Sequence, residues 1–561
     1  MQKTRRKKVF SLNGTFIARE RVLCCRPCNR VFVSEELLRI VPGRCSVGWD
    51  VLVFVGRGLF QRYRTTEQLL QELRLKNVVL SASEVGYLGR KFIAYLALGH
   101  RLATPRIRKA MDLSGGYVLH LDAAHDADAP ALMTGMDSLS RFVLASVKVP
   151  TEHADHIVPF LQTLRRDYGS PAACVHDMGT GICKAVNEVF PQTPDFICHF
   201  HFLRDIGKDL LEPAYRNLRG CLRKYGVSSH LSALARETRR CMRDQQAEAS
   251  RTARAIAAQT PEKHGVLLPA LSTYSLALWC LQAKRSGDGY GFPFDRPLLA
   301  FSERLSALME QLPELLELLP AKGGIGNRPF FKLMRKVVEI GLDPLFHEYI
   351  KELRWRSDIF DQLRKAMGIA ESAEANGLND DGTEAAMESI RTAVTRFRKS
   401  LDTNPKLASD LLCRKMAKQI EKYNDKLFAD PIHVDTPSGK VTIYPQRTNN
   451  MMERFFRQLR RDYRRKSGNN TMRKTLQTML ADTPLVKNLD NPDYMEVLLN
   501  GKAGLEELFA DLDMNCSEKI LPRQSNADSI LPGFRKLIQL PSLPDRVVHW
   551  LNARRLACES N

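Results

Sequence analysis

Gly116-Tyr-Val-Leu-His-Leu-Asp122-Ala-Ala-His-Asp126 is the stretch whose reading decides the fold. In an extended chain Leu119 and Leu121 point to one side, and Val118, His120 and Asp122 to the other. The strand therefore carries one carboxylate, Asp122, out of an apolar layer. An acid in that place is costly unless something binds it.

Downstream, Ala131–Met136 and Arg141–Val149 read as two more strands, separated by the turn Asp137-Ser-Leu-Ser140. His153–Asp167 has Ile157, Val158, Leu161 and Leu164 at helical spacing and ends in Tyr168-Gly-Ser-Pro171. Ala173-Cys-Val-His-Asp177 follows as a short strand, then a helix over Thr180–Val189 and a fifth short strand over Asp195–His201. Three strands in meander, then helix, strand, helix and strand predict an α/β fold with an RNase H-like mixed sheet. In such a sheet the first and fourth strands are adjacent and parallel.

That adjacency would bring Asp122 and Asp177 within a few ångströms, where one carboxylate is pushed towards protonation. A hard divalent cation removes the conflict, because Mg²⁺ takes oxygen ligands. A third acid, Glu453, lies in Arg447-Thr-Asn-Asn-Met-Met-Glu-Arg-Phe-Phe456, at the start of a basic helix. There Met452, Phe455, Phe456 and Leu459 form an apolar stripe. Arg454, Arg457, Arg460, Arg461, Arg464, Arg465 and Lys466 line the other faces as candidate phosphate contacts. Asp126 and Asp128 follow the first strand and compete with Asp122 for its role. Cys198 and His201 could ligate zinc, but two ligands do not make a site. His201 is expected near the acids, touching DNA, with Cys198 in the core and His199 on the opposite face of an extended strand.

Upstream, residues 1–62 read as a small irregular β module containing Cys24, Cys25, Cys28, Cys45 and the apolar run Trp49–Val55. Cys25-x-x-Cys28 has the spacing of half a zinc ribbon, without the second pair. Residues 63–113 hold two helical patterns. The second is opened by Ser81 with Glu84 three residues later and carries Arg90 and Lys91, which fits a helix-turn-helix that binds DNA. The sheet would occupy residues 114–204, an almost wholly helical stretch 205–440, the basic helix 441–480, and a tail 481–561. Within the helical stretch, 371–382 is polar and acidic and reads as a flexible loop. Gly287–Phe294 reads as a tight aromatic loop.

Across 561 residues, 84 Lys and Arg against 63 Asp and Glu give a formal charge of +21, which favours a polyanionic partner, nucleic acid ahead of a membrane. No apolar run is long enough to span a bilayer. Met1–Lys8 lacks the apolar core of a secretory signal and reads as a phosphate-touching arm or a solvated tail. Thirteen scattered cysteines argue for a reducing compartment rather than a disulfide framework.

Taken together, Leu-His-Leu-Asp122, Val-His-Asp177-Met-Gly-Thr-Gly, Cys198-His-Phe-His201 and Thr448-Asn-Asn-Met-Met-Glu453-Arg-Phe-Phe resemble the DDE transposases of the Mutator-like kind and their bacterial insertion-sequence relatives. The resemblance covers roughly residues 65–475. It implies an RNase H-like core interrupted by a helical insertion, with Asp122, Asp177 and Glu453 holding two Mg²⁺ or Mn²⁺ ions. One ion would activate water or a DNA 3′-hydroxyl, and the other would stabilise the leaving oxygen. It further implies double-stranded DNA, as element ends and target, and a homodimer or larger assembly. The compartment would be the bacterial cytoplasm and nucleoid, or a eukaryotic nucleus. A domesticated, non-catalytic DNA-binding regulator and a structure-specific endonuclease are the competing functions.

Overall fold

The computed structural model describes residues 2–28, 31–43, 45–259, 265–317, 325–369, 387–437, 439–515 and 546–547. The chain is mixed α/β, mostly helical, and divides into two compact units. Unit 1 comprises residues 1–102 and 498–561, and unit 2 residues 103–497.

Unit 1 begins with an antiparallel ribbon, β1 (Gln2–Ser11) and β2 (Gly14–Cys24), extended by the two-residue β3 (Val31–Phe32). The basic start of the chain is thus neither arm nor tail but an outer strand. A short helix α1 (Glu35–Ile40) follows, and then α2 (Trp49–Phe60), which takes up the apolar run assigned from sequence to the β module. Asp50 accounts for the difference. Its Oδ1 accepts the Val51 N–H, while Oδ2 accepts the Ser11 hydroxyl at 2.6 Å and the Leu12 N–H at 2.7 Å, tying the helix start to the end of β1. Trp49, Val51, Leu52, Val53 and Val55 are all buried, and a run apolar on every side has no period by which to tell helix from strand.

The expected helical pair is present as α3 (Thr66–Leu75) and α4 (Ala82–Leu113), the unit boundary falling within α4. The Ser81–Glu84 capping box is formed in both directions, at 2.7 and 3.2 Å. Arg90 is exposed. Lys91 lies instead over the rings of Trp49 and Tyr95, at 5.8 and 5.5 Å from their centroids. Regions expected to be separate share this core, because the returning helix Leu505–Asn515 stacks Phe509 on Tyr95 and accepts the Tyr95 hydroxyl at Asp513.

Unit 2 is built on a five-stranded mixed sheet of order β6-β5-β4-β7-β8. Its strands are β4 (Val118–Ala124), β5 (Ala131–Asp137), β6 (Val143–Val149), β7 (Ala173–His176) and β8 (Asp195–Ile197). As the pattern predicts, β4 pairs antiparallel with β5 and parallel with β7, with Leu121 opposite His176. The next positions along are Asp122 and Asp177. Two helices link the parallel strands, α5 (Ala154–Tyr168) and α6 (Thr180–Val189). Gly181 in the first turn of α6 is required by close approach, since a Cβ there would lie 1.9 Å from the Glu152 carbonyl oxygen.

β8 is shorter than expected. It ends at Ile197, Cys198 caps the next helix, and α7 (His199–Lys224) starts where the extended strand was expected to continue. Ten further α-helices, α8 to α17, lie between Val227 and Leu427 among the described residues. They bury their own apolar core against Phe202, Ile206, Leu210 and Leu218 of α7. The acidic stretch 371–382 lies outside the described residues.

The sequence reading missed a hairpin after these helices, β9 (Ile432–Thr436) and β10 (Gly439–Ile443). Alternating Ile432 and Val434, then Val441 and Ile443, around Pro437-Ser438-Gly439 was the available signal. Those four side chains pack with Val118, Ala173, Val175 and Phe196, on the side of β4 that also bears His120 and Asp122. The basic helix follows as α18 (Asn450–Ser467), with the expected stripe Met452, Phe455, Phe456 and Leu459 buried. No helix among the described residues is long and apolar enough to cross a membrane.

Candidate metal centre

The hairpin covers Val118, at the start of the acid-bearing face of β4, and Asn449 covers His120, in its middle. Asn449 is wholly buried just before α18. Its Nδ2 donates to the Leu121 carbonyl at 2.8 Å, and its Oδ1 lies 3.0 Å from His120 Nδ1. With the amide oriented by Leu121, Oδ1 must accept, so His120 is protonated at Nδ1. The Asn449 N–H reaches Cys198 Sγ at 3.2 Å, and its carbonyl accepts the Glu453 N–H at 3.1 Å. One residue therefore joins β4, the cap of α7 and the first turn of α18.

That clamp sets the place of Glu453. His201 lies between it and the second acid, with Nδ1 2.7 Å from Asp177 Oδ1 and Nε2 3.3 Å from Glu453 Oε1. The Nδ1 contact is close but poorly directed, so Asp177 Oδ1 and His201 Nδ1 are both buried without a hydrogen bond. Burial opposes a charge on His201, yet the Asp177 carboxylate and Cys198 outweigh it and raise the ring's pKa to about 11. Asp122 is pushed up to about 8, first by burial and then by the charge of Asp177. Asp177, Cys198 and His201 offer three ligand atoms within 4.8 Å of one another, a group able to hold a metal ion.

The competing acids are engaged elsewhere. Asp126 accepts the Met472 N–H at 2.6 Å, and Asp128 pairs with Arg473. Asp137, which the sequence places at the start of the turn after the second strand, is buried there and accepts four hydrogen bonds from Val118, Leu139 and Ser140. His201 lies near the acids, as expected, with its ring buried between Asp177 and Glu453, and Cys198 is in the core, as expected. Cys25 and Cys28 join no group of three ligand atoms among the described residues.

Sequence reasoning also missed the support behind Asp177. His176, fully buried, places Nδ1 2.5 Å from the Asp177 carbonyl and Nε2 2.6 Å from Asp195. Lys426 holds the other Asp195 oxygen. Burial alone would raise Asp195, but His176 and Lys426 keep its pKa below the usual range. On α18, Arg454, Arg457, Arg460, Arg461, Arg464 and Arg465 are exposed, and Arg457 approaches Glu453 at 3.8 Å. Lys466 is half-buried over the Tyr463 ring, and burial lowers its pKa to about 8, so it is the least suited of the set to phosphate.

Two neighbouring rings make this unit acid-sensitive. His120 is pushed down to about 4 by burial, against the Asn449 hydrogen bond and with help from His176. His199, whose Nε2 donates to the Leu427 carbonyl, is pushed down to about 3 by burial and by Arg447. An unfolded His ionises near ~6.5. The stability that depends on these neutral rings is complete above that pH and is lost as pH falls towards 4 and then 3. Asp122, raised to about 8, works the other way over part of the range, and His201, raised to about 11, loses its contribution only on the alkaline side. Burial lowers His230 as well and raises the buried Asp137 as well, so three rings against two carboxyls leave a net loss on acidification. Urea unfolding in chelator should show a falling midpoint from about pH 7 to about pH 4.5, with a smaller fall in His199→Asn. A midpoint that does not move would contradict this.

No protein-family profile matches the chain, and no curated protein matches it.

Proposed function

We propose that unit 2 binds divalent metal at Asp122, Asp177 and Glu453 and cuts and joins DNA phosphodiesters, as a DDE transposase does. On this reading the sheet is an RNase H-like core and the helices of 205–440 are its insertion. One observation carries the proposal: acids from two distant segments flank a single histidine, Asp177 and Glu453 each within 3.3 Å of His201, and the β4–β7 register sets Asp122 beside Asp177.

The three carboxylates are hard ligands of the kind Mg²⁺ or Mn²⁺ takes, but among the described residues the ligand atoms within 4.8 Å of one another are those of Asp177, Cys198 and His201, so His201 has to leave its place between Asp177 and Glu453 before the acids share an ion. Asp122 is raised first by burial and then by the charge of Asp177, and a buried Asp177 oxygen lacks a hydrogen bond. When bound, the metal supplies a Lewis acid for an in-line displacement at phosphorus. The protein's part is geometric. β4 and β7 hold Asp122 and Asp177 side by side, Asn449 fixes the start of α18, and His201 spaces Glu453 from Asp177. The exposed arginines of α18 hold the flanking phosphates, leaving the scissile bond to the acids.

The full 561-residue chain on a labelled duplex carrying the element's own ends tests this. The expected result is cleavage only with Mg²⁺ or Mn²⁺, exposing a 3′-hydroxyl that then joins to target DNA. Binding without cleavage under any metal would point to a domesticated regulator, and cleavage without joining to a structure-specific nuclease. The Cys198 thiol favours one other reading, a single Zn²⁺ on Asp177, Cys198 and His201, since sulfur and imidazole suit zinc better than Mg²⁺. Stoichiometric zinc surviving dialysis would support that reading instead.

A further inference from the structure

The ribbon of unit 1 carries an unbalanced charge that the metal centre does not use. Its register places Thr4 opposite Arg21, Arg6 opposite Arg19 and Lys8 opposite Ile17, with Arg5 opposite Glu20, Lys7 opposite Ala18 and Val9 opposite Phe16 in between. Directly opposed residues share a face, and faces alternate along the strand. One face is anchored. Val9 and Glu20 are buried, Glu20 pairs with Arg5 and accepts the Ser34 N–H at 3.1 Å, and Lys7 donates to the Pro42 carbonyl at 3.0 Å.

The other face is turned outwards. Thr4, Arg6, Lys8, Ile17, Arg19 and Arg21 are all exposed. Four of these six are cations and none is an acid. Lys8 touches the ring of Phe10, 4.9 Å from its centroid. Among the described residues, no carboxylate lies within 4.0 Å of Arg6, Lys8, Arg19 or Arg21. Arg6 directly opposite Arg19 is a like-charge pair, which destabilises an isolated ribbon. Four cations in two adjacent rows, spaced by the pleat, make sense when a polyanion lies across them.

We propose that this outer face is a docking site for the phosphate backbone of duplex DNA, independent of the metal centre. A two-stranded ribbon has the width that the major groove of B-DNA admits, so its cations can meet phosphates on the groove wall. Charge complementarity selects the partner: guanidinium and ammonium groups without a neighbouring carboxylate suit phosphate oxygens. The proposal deepens the DNA reading of the chain without needing cleavage.

The test measures binding of a fluorescent mixed-sequence DNA duplex to the full chain, in chelator, over a range of salt. Arg6→Gln, Lys8→Gln, Arg19→Gln and Arg21→Gln are combined in one variant. A control removes four exposed cations of unit 2, with Arg396→Gln, Lys399→Gln, Arg414→Gln and Lys418→Gln. The ribbon variant should bind about 100-fold more weakly near 0.1 M salt, with a log–log salt slope shallower by roughly 3 to 4, since each phosphate contact contributes about 0.9. The control should change much less. Because opposed charges are removed, the ribbon variant should melt no lower than wild type, which separates lost binding from lost folding.

Binding within about twofold of wild type with the same slope overturns the site. So does an equal loss in the control, which would reduce the effect to net charge. Duplex RNA and anionic phosphatidylserine vesicles are run alongside, and a loss confined to either would reassign the surface. Chelator keeps the outcomes separate: a ribbon that binds beside acids that never cleave leaves this site standing and removes the transposase reading.

Discussion

Asp177→Asn is expected to lower metal-dependent cleavage by about 10³-fold or more while leaving DNA binding within a few-fold of wild type, and Glu453→Gln should do the same. A loss of that size corresponds to roughly 4 kcal/mol of transition-state stabilisation, the scale expected when a group facing the developing charge is lost. The amides nearly match the acids in shape, so packing is kept and only charge and metal affinity change. Asp177→Asn also removes the charge that helps raise Asp122, which favours folding, and the charge that raises His201, whose loss opposes it, so the two effects on stability in chelator work against each other. Asp126→Asn supplies the contrast, because that acid accepts the Met472 N–H rather than joining the centre. Equal activity in wild type and both amide variants would remove the acids from the chemistry. An Asp126→Asn loss as large as theirs would place the metal at the wrong carboxylate.

The second large effect is expected at a residue that touches no substrate. Asn449→Ala deletes a buried amide that satisfies the Leu121 carbonyl and His120 Nδ1. Each buried partner left unpaired costs about 1–3 kcal/mol, so unit 2 should lose roughly 3–5 kcal/mol with the cavity included. Activity should fall as well, by about 10², since a displacement of about an ångström at Glu453 costs that much. A positioning role predicts that the loss falls on kcat more than on KM, and that excess Mn²⁺ recovers part of it. A stability loss with unchanged kcat would show that Asn449 only holds the fold. No loss of either would mean that α18 is fixed by its apolar stripe alone.

Much of the sheet was legible because β4 to β8 declare themselves by alternation and by turns, and because two helices of clear period force a parallel return. The stripe of α18 was legible for the same reason. The Trp49–Val55 run was not, since residues buried on all sides carry no period and an aspartate at the helix start decided the outcome. The end of β8 was not legible either. Cys198-His-Phe-His201 contains no N-cap residue of the usual kind, and α7 starts there because the His199 N–H is taken by the Arg447 carbonyl, far away in sequence.

For the candidate site, local pattern singled out Asp122, Asp177 and Glu453 as anomalous acids, because an acid at the end of an apolar strand or at the head of a basic helix is out of place unless it binds something, and the fold brings Asp177 and Glu453 to either side of His201. Local pattern placed His201 near the acids without its contacts, and could not assign Asn449 or the His176–Asp195–Lys426 chain, whose roles are defined by partners hundreds of residues away or on another strand. Local sequence fixes which backbone a segment prefers and where a charge is anomalous. Which anomalous charges meet, and what holds them apart, is decided only when the segments pack, since a buried hydrogen bond between distant groups leaves no periodic trace in either of them.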